Sequence, residues 1–399
     1  MTFYIDFLGC KVNSYEAQAV AYSLIKHGFI EVDIKQEIPD IIIINTCAVT
    51  EVSATKSRHL IKRFRTHYPN SIIIVMGCYS QYAYELITNE IGVDIVIGTS
   101  YRDKIYELIE EFLKNKKKIY LIKKDRRSLT YENLLIDRYF ENTRAYVKIQ
   151  DGCNNFCTYC LIPYIRGISR SRSENEIINE IKCLINNGYK EIILTGIDQG
   201  SYGLDFKEKS NFSTLLSNIL KIDNLYRIRI SSIEESQIDN QFLELLNNYP
   251  NIANHLHIPL QSGSKDILKA MNRKYDVDSF LKTIEKIREI RPDISITTDV
   301  IVGFPGESEE NFIETYNFIK KAKFSKIHVF PYSDRAGTIA SKRTNKVPIK
   351  VKKERVQKLL VLNNELEENY FSKFYGKKIE FLMESFNPKT NMIKGHSSN

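Results

Sequence analysis

Two stretches of this chain repeat one local pattern, and that repetition restricts the fold more than any other feature: a short β-branched run followed by a segment of helical period. In the first stretch, FYIDFLG, DIIIIN and SIIIVMG precede SYEAQAVAYSLIKHG, TEVSATKSRHLIKRFRTH and QYAYELITN, and VDIVIG precedes YRDKIYELIEEFLKN. Runs so continuous and apolar belong in a parallel sheet covered on both faces, because a sheet with one wet face would alternate. The pattern predicts an α/β fold, with a doubly wound parallel domain over 1–114.

The second stretch runs from Ala145 to about Pro331, with strand candidates AYVKIQ, EIILTG, YRIRIS, NHLHIP, ISITTDVIVG and KIHVFP separated by helical patterns such as SENEIINEIKCLINNG. Six βα units are fewer than the eight that close a full barrel, so an open, partial barrel is expected over 143–349, with its site at the carboxyl ends of the strands. Between the two stretches, 115–142 is dense in lysine and arginine and reads as a linker with some basic contact to a phosphate backbone. A helical pattern covers 350–375. The remainder, 376–399, reads as strand, Asn-Pro turn, strand, too short for a closed β module.

The net charge of +8 fits either a polyanionic partner or an ordinary solvated surface. No apolar run approaches the roughly 20 residues that cross a bilayer, so no membrane partner is expected. The start, MTFYIDFLGC, lacks a basic region followed by an apolar one, and seven cysteines is an odd number. A disulfide framework is therefore disfavoured, and a reducing, cytoplasmic location is expected.

The cysteines carry the chemistry. Cys153, Cys157 and Cys160 stand as C-x3-C-x2-C directly after AYVKIQ, on the loop leaving the first barrel strand. Three thiolates on one loop hold three irons of a cubic cluster and leave the fourth with an open position. A closed zinc site needs a fourth ligand, and Cys183 and His255 are remote in sequence. Cys10, Cys47 and Cys78 each follow a predicted strand by one to three residues, although they are 37 and 31 positions apart. Loops leaving neighbouring parallel strands meet at one sheet edge, so these thiols should converge. A second cluster site competes there with three separate core cysteines. Cys183, within a helical pattern, reads as a structural thiol.

The C-x3-C-x2-C loop with Tyr159 before its last cysteine, joined to GCKVN (Gly9 to Asn13), NTCAVT (Asn45 to Thr50) and MGCYSQ (Met76 to Gln81), closely resembles the methylthiotransferases of the radical S-adenosylmethionine superfamily. PYIRG, LTGIDQGSYG, HIPLQSGS, DVIVGFPGE and FPYSDRAGT, all between Pro163 and Thr338, extend the resemblance over almost the whole chain. Lys11 and Val12 look most like the MtaB group, whose substrate is N6-threonylcarbamoyladenosine in tRNA. Enzymes acting on isopentenyladenosine usually show Gln-Met there, and those acting on a ribosomal protein show Pro-Lys.

The resemblance implies two [4Fe-4S] clusters and S-adenosylmethionine as cofactors. Cys153, Cys157 and Cys160 would hold the cluster that cleaves S-adenosylmethionine to a radical, which takes hydrogen from carbon 2 of the adenine. Cys10, Cys47 and Cys78 would hold an auxiliary cluster that carries the inserted sulfur, methylated by a second S-adenosylmethionine. Implied partners are tRNA and a one-electron donor such as flavodoxin or ferredoxin, with the chain a monomer. Glu234 would bind the ribose of S-adenosylmethionine or cap a helix. Gly196 and Gly263 would admit the cofactor or serve ordinary turns. Arg166, Arg170 and Arg172 would clamp RNA phosphates or the threonylcarbamoyl carboxylate, or lie in a solvated basic loop. His255 and His257 read as packed strand residues. The family usually ends in a complete TRAM-type RNA-binding barrel, whereas 376–399 resembles only its first two strands. An enzyme acting on isopentenyladenosine or on a ribosomal-protein aspartate, and a non-catalytic iron–sulfur protein that binds RNA, are the alternative readings.

Overall fold

The run Ile41–Thr46 is buried along its whole length, as a strand covered on both faces must be. A computed structural model describes residues 1–136, 143–208 and 210–399. The chain divides into two units. One comprises Met1–Phe140 with Gln150–Asn154 and Leu161–Arg172, and the other Glu141–Ile149, Asn155–Cys160 and Ser173–Asn399.

The first unit is built on strands β1 (Thr2–Phe7), β2 (Ile30–Glu31), β3 (Ile41–Thr46), β4 (Ile72–Gly77), β5 (Ile95–Ile97) and β6 (Ile119–Leu121). They pair in parallel in the order β2-β1-β3-β4-β5-β6. Alternate strand residues feed two separate cores. Ile41, Ile43 and Ile74 pack with Val20, Leu24 and Ile109, while Ile42, Ile44 and Ile73 pack with Ile61 and Phe64. The doubly wound expectation holds.

Two local expectations differ from the structure. The segment after β4 is not one helix but the short α-helices Cys78–Tyr82 and Tyr84–Leu86 and a π-helix at Ile87–Ile91. The break falls at Ala83, whose φ of −125° and ψ of 33° lie outside the helical region. The basic segment expected as a linker over 115–142 also contributes β6, paired with β5 through Ile95↔Ile119. Lysines beside an edge strand are a common guard against further pairing, and here they mask a short apolar run. Residues 137–142 of that segment lie outside the described residues.

In the second unit, β7 (Arg144–Asp151) as far as Ile149, β9 (Glu191–Gly196), β10 (Arg227–Ile230), β11 (His255–His257), β12 (Ser295–Val302) and β13 (Lys326–Pro331) match the six barrel strands expected. The order β10-β9-β7 continues into β11-β12-β13 through the bridges Ile228↔Ile252 and Ser232↔His257. The short β8 (Arg170–Ser171) belongs to the first unit, where it pairs antiparallel with Gln150 and Asp151. One face of the curved sheet is apolar and fully buried, with Leu256, Ile258, Ile296 and Val300 at 0% exposure. The opposite face is polar.

A helix at Ile349–Phe371 follows, then the antiparallel hairpin β14 (Phe381–Asn387) and β15 (Met392–Ser397). No helix among the described residues is long and apolar enough to cross a membrane.

Candidate functional site

Strands β1, β3 and β4 are neighbours, and each ends in a turn bearing a cysteine, so Cys10, Cys47 and Cys78 meet at one sheet edge. Two glycines set the closeness of these turns. Gly9 has φ +110°, and a Cβ there would lie 2.9 Å from Cys47 Sγ. Gly77 has φ +101°, and its Cβ would lie 2.2 Å from Asn45 Oδ1 and 2.6 Å from the Thr46 carbonyl. Side chains then stitch the turns together. Asn13 Nδ2 donates to the Leu8 and Thr46 carbonyls (2.7 and 3.1 Å), and Asn45 Nδ2 donates to the Asn13 carbonyl (2.9 Å).

This donor set fits an iron–sulfur cluster. Burial pushes the Cys78 thiol up to about 12 and raises Cys47, and the charges of the neighbouring thiols push in the same direction. Three mutually repelling thiolates are unfavourable by themselves, and a bound cation both expels their protons and relieves the repulsion.

Arg166 is the fixed point behind this edge. It is 0% exposed, and its Nε donates to Cys78 Sγ at 3.2 Å. Nη1 reaches Glu16 (2.7 Å) and Asp151 (3.1 Å), and Nη2 reaches Asn13 Oδ1 and Glu16, both at 3.0 Å. Arg170 holds the other oxygen of Asp151 at 2.9 Å. Arg102 pairs with Glu16 and with Glu132. Arg172, also 0% exposed, donates to the Tyr15 hydroxyl at 3.4 Å.

A phosphate clamp or a solvated basic loop needs exposed guanidinium groups, and Arg166, Arg170 and Arg172 are all buried. Arg166 and Arg170 are internal counter-ions to Glu16 and Asp151, whereas Arg172 bonds the Tyr15 hydroxyl. Sequence reasoning missed Glu16, Arg102, Glu132 and Asp151. Glu16 did leave a signal: in the helix Lys11–Lys26 it falls on the buried stripe with Asn13 and Val20, where a carboxylate requires a partner.

The C-x3-C-x2-C loop is held by local bonds. In the first unit, the Cys153 amide donates to the Gly167 carbonyl at 3.1 Å, and a Cβ on Gly152 would strike the Ile168 carbonyl at 2.0 Å. In the second unit, the Thr158 amide and hydroxyl donate to the Met271 and Ala270 carbonyls (3.0 and 2.9 Å), and the Cys160 amide donates to the Cys157 carbonyl at 2.9 Å. Tyr159 packs against Ile267, Met271 and Phe304.

Arg273, whose side chain is 4% exposed, donates to Cys157 Sγ at 3.3 Å and pairs with Glu234 at 3.0 Å. Burial raises the Glu234 carboxyl above its usual range, against the opposing pull of Arg273. Glu234 is also the N-cap residue of the 3-10 turn Glu235–Gln237, and its amide donates to Gln237 Oε1 at 3.0 Å. Gly263 has a packing role: a Cβ there would lie 2.7 Å from Phe318 Cβ and 2.8 Å from Thr315 Cα. Gly196 ends β9, half-buried. Cys183 lies in the helix Glu174–Asn186, within 3.7 Å of Asn187 Nδ2. His255 and His257 are half-buried on the polar face, and both bond Thr297 Oγ1 (3.0 and 2.9 Å).

A partial parallel barrel whose first strand runs into a C-x3-C-x2-C loop defines the class of radical S-adenosylmethionine enzymes. Residues 147–319 match the Radical SAM superfamily, and residues 2–98 match an uncharacterized protein family, UPF0004. Threonylcarbamoyladenosine tRNA methylthiotransferase MtaB of Bacillus subtilis is 44% identical over 396 residues, 98% of this chain and 87% of that protein. The Aquifex aeolicus protein of the same name is 38% identical over 376 residues, 94% of this chain and 91% of its own length. The tRNA-2-methylthio-N(6)-dimethylallyladenosine synthase of Acetivibrio thermocellus is 37% identical over 393 residues, 97% of this chain and 81% of that protein. Among solved structures, the fold is similar to TsrM of Kitasatospora setae, a radical S-adenosylmethionine methyltransferase with cobalamin and a [4Fe-4S] cluster bound. That likeness has a TM-score of 0.66 at 12% identity and covers 85% of this chain and 77% of the other. The chain belongs to the radical S-adenosylmethionine methylthiotransferase family.

Proposed function

We propose that this enzyme methylthiolates carbon 2 of N6-threonylcarbamoyladenosine next to the anticodon of tRNA, in the cytoplasm. The observation that carries the chemistry is the presence of two three-cysteine sets, each with one sulfur hydrogen-bonded by a buried arginine, Arg166 on Cys78 and Arg273 on Cys157, and the substrate is supported by the 44% identity to the Bacillus subtilis MtaB protein. Cys153, Cys157 and Cys160 hold one [4Fe-4S] cluster, and Cys10, Cys47 and Cys78 hold the auxiliary one. When bound, the clusters and S-adenosylmethionine supply the radical, the sulfur and the methyl group.

The chain's own residues position and tune. N–H donors to ligand sulfur disperse thiolate charge and raise the reduction potential of a cluster. Arg166 and Arg273 do this while remaining neutralised by Glu16, Asp151 and Glu234. Glu234 is one residue from Ile233, whose amide is bonded to His257, and is the candidate partner for the cofactor ribose. Gly196, at the end of a barrel strand, leaves room for the cofactor backbone. The basic balance of +8 favours tRNA, and flavodoxin or ferredoxin is the electron donor to a monomeric enzyme.

Anaerobic reconstitution tests this. About eight irons per chain, reductive cleavage of S-adenosylmethionine and methylthiolation of tRNA bearing N6-threonylcarbamoyladenosine are expected. Turnover of isopentenyladenosine tRNA alone would move the enzyme to the dimethylallyladenosine group. Clusters without cleavage would support the non-catalytic reading.

A further inference from the structure

The inner face of the barrel sheet has a composition that the cluster chemistry does not require. By the two-residue alternation of strands, the residues opposite the apolar face are mostly polar, and on that opposite face the aliphatic side chains of β7 and β9 to β13 are Ile193 and Ile301. At the centre lie His257 on β11, Asp299 on β12 and His328 on β13, in paired register through Asp299↔His328. One donor or acceptor atom from each lies within 4.8 Å of the other two. His257 Nε2 is 3.3 Å from Asp299 Oδ2, and its Nδ1 bonds Thr297 Oγ1 at 2.9 Å, so this ring is fixed in place. The His328 ring stands 5.9 Å from that of His257 and makes no hydrogen bond among the described residues. Burial lowers the His328 pKa, so near neutral pH its ring offers one N–H and one lone pair.

This group is near the chemistry. The His257 carbonyl accepts from the Ile233 amide at 3.0 Å, and the next residue, Glu234, pairs with the arginine that bonds Cys157. A threonylcarbamoyl substituent carries a carboxylate, a hydroxyl and a urea N–H, whereas an isopentenyl group carries no polar atom. A polar face offering the His328 imidazole and the second oxygen of Asp299 matches the first and leaves both without a ligand partner against the second.

We infer that His257, Asp299 and His328 form the subsite that reads the threonylcarbamoyl group, with the His328 N–H on its carboxylate and Asp299, held through one oxygen by His257, accepting from its hydroxyl or urea N–H through the other. The same residue types also suit a divalent metal. However, the direct His257–Asp299 contact already occupies the facing atoms of both. This inference rests on the substrate reading above.

The test is equilibrium binding of the cluster-loaded full chain to three anticodon stem-loops that differ only in the target base: N6-threonylcarbamoyladenosine, N6-isopentenyladenosine or adenosine. The wild type should prefer the first over adenosine by about tenfold or more. His328→Phe and Asp299→Asn, with iron content retained as the check on folding, should remove most of that preference. His328→Gln, which keeps an N–H, should retain more of it than His328→Phe. Preference undiminished in both variants overturns the subsite and leaves the substrate reading standing. A wild type with no preference for the threonylcarbamoyl stem-loop overturns both. A divalent ion bound one per chain and lost in His328→Phe overturns the subsite in favour of a metal centre.

Discussion

Arg166 Nε lies 3.2 Å from Cys78 Sγ, and the same guanidinium is clasped on its other edge by Glu16, 150 positions away in sequence. The contact joins the PYIRG segment to the sheet edge that carries three cysteines. A charge this deep is tolerated because Glu16 and Asp151 neutralise it. The charge network and the cluster site therefore stand or fall together.

Replacing Arg166 with Met leaves Glu16 and Asp151 short of a cation in a buried site. The expected loss is about 3–5 kcal/mol of unfolding free energy, the range for breaking a buried pair by removing one partner. Urea denaturation of the full chain measures it. Arg166→Lys keeps a charge but loses the planar fork, so an intermediate loss is expected, with an altered electron-resonance signal from the auxiliary cluster. An unchanged signal would argue that the Arg166–Cys78 contact does not tune that cluster.

Gly77 directly precedes Cys78 and has no room for a side chain. Because backbone and a buried amide are the obstructing atoms, Gly77→Ala must shift the turn, and the left-handed φ adds strain of about 1 kcal/mol. The variant should fold with weakened iron binding at the Cys10, Cys47, Cys78 site, so that iron falls from about eight toward about four per chain. Iron quantification after anaerobic reconstitution decides it, and full loading would show that the turn is more plastic than its contacts indicate.

Glu191, 0% exposed at the start of β9, accepts from Arg229 at 2.7 Å and Arg227 at 3.0 Å, with Arg144 nearby. Burial pushes its carboxyl up, but the bonds from Arg229 and Arg227 and the charge of Arg144 outweigh that and hold it below 4.5. A depressed folded-state pKa gives stability that is present above 4.5 and lost as pH falls through the folded value. Wild type should exceed Glu191→Gln by about 3 kcal/mol at neutral pH, with the gap narrowing below pH 4.5. Urea unfolding of the cluster-free chain at both pH values reads this, and a gap that widens on acidification would contradict the sign.

Much of the architecture was legible in the sequence because parallel strands buried on both faces write themselves as uninterrupted apolar runs, as in Ile41–Thr46. Cys10, Cys47 and Cys78 were legible as a set for a related reason, since each follows a strand end and neighbouring strand ends share an edge, and Cys153, Cys157 and Cys160 were legible from their spacing on one loop. The arginines were not. Whether Arg166 meets water or Glu16 is decided by a partner 150 positions away, and an exposed arginine and a buried one look alike in a local window. His257 was read as packed for the same reason. Its polar setting comes from Thr297 and Asp299 on the neighbouring strand, a relationship that exists only once β11 and β12 pair.

Mass spectrometry of tRNA nucleosides from cells with and without the gene tests the central claim most directly. The account predicts that 2-methylthio-N6-threonylcarbamoyladenosine disappears when the gene is removed, that its unthiolated parent accumulates, and that the methylthio form of isopentenyladenosine is unchanged. Persistence of the threonylcarbamoyl product, or loss of the isopentenyl one instead, would contradict it.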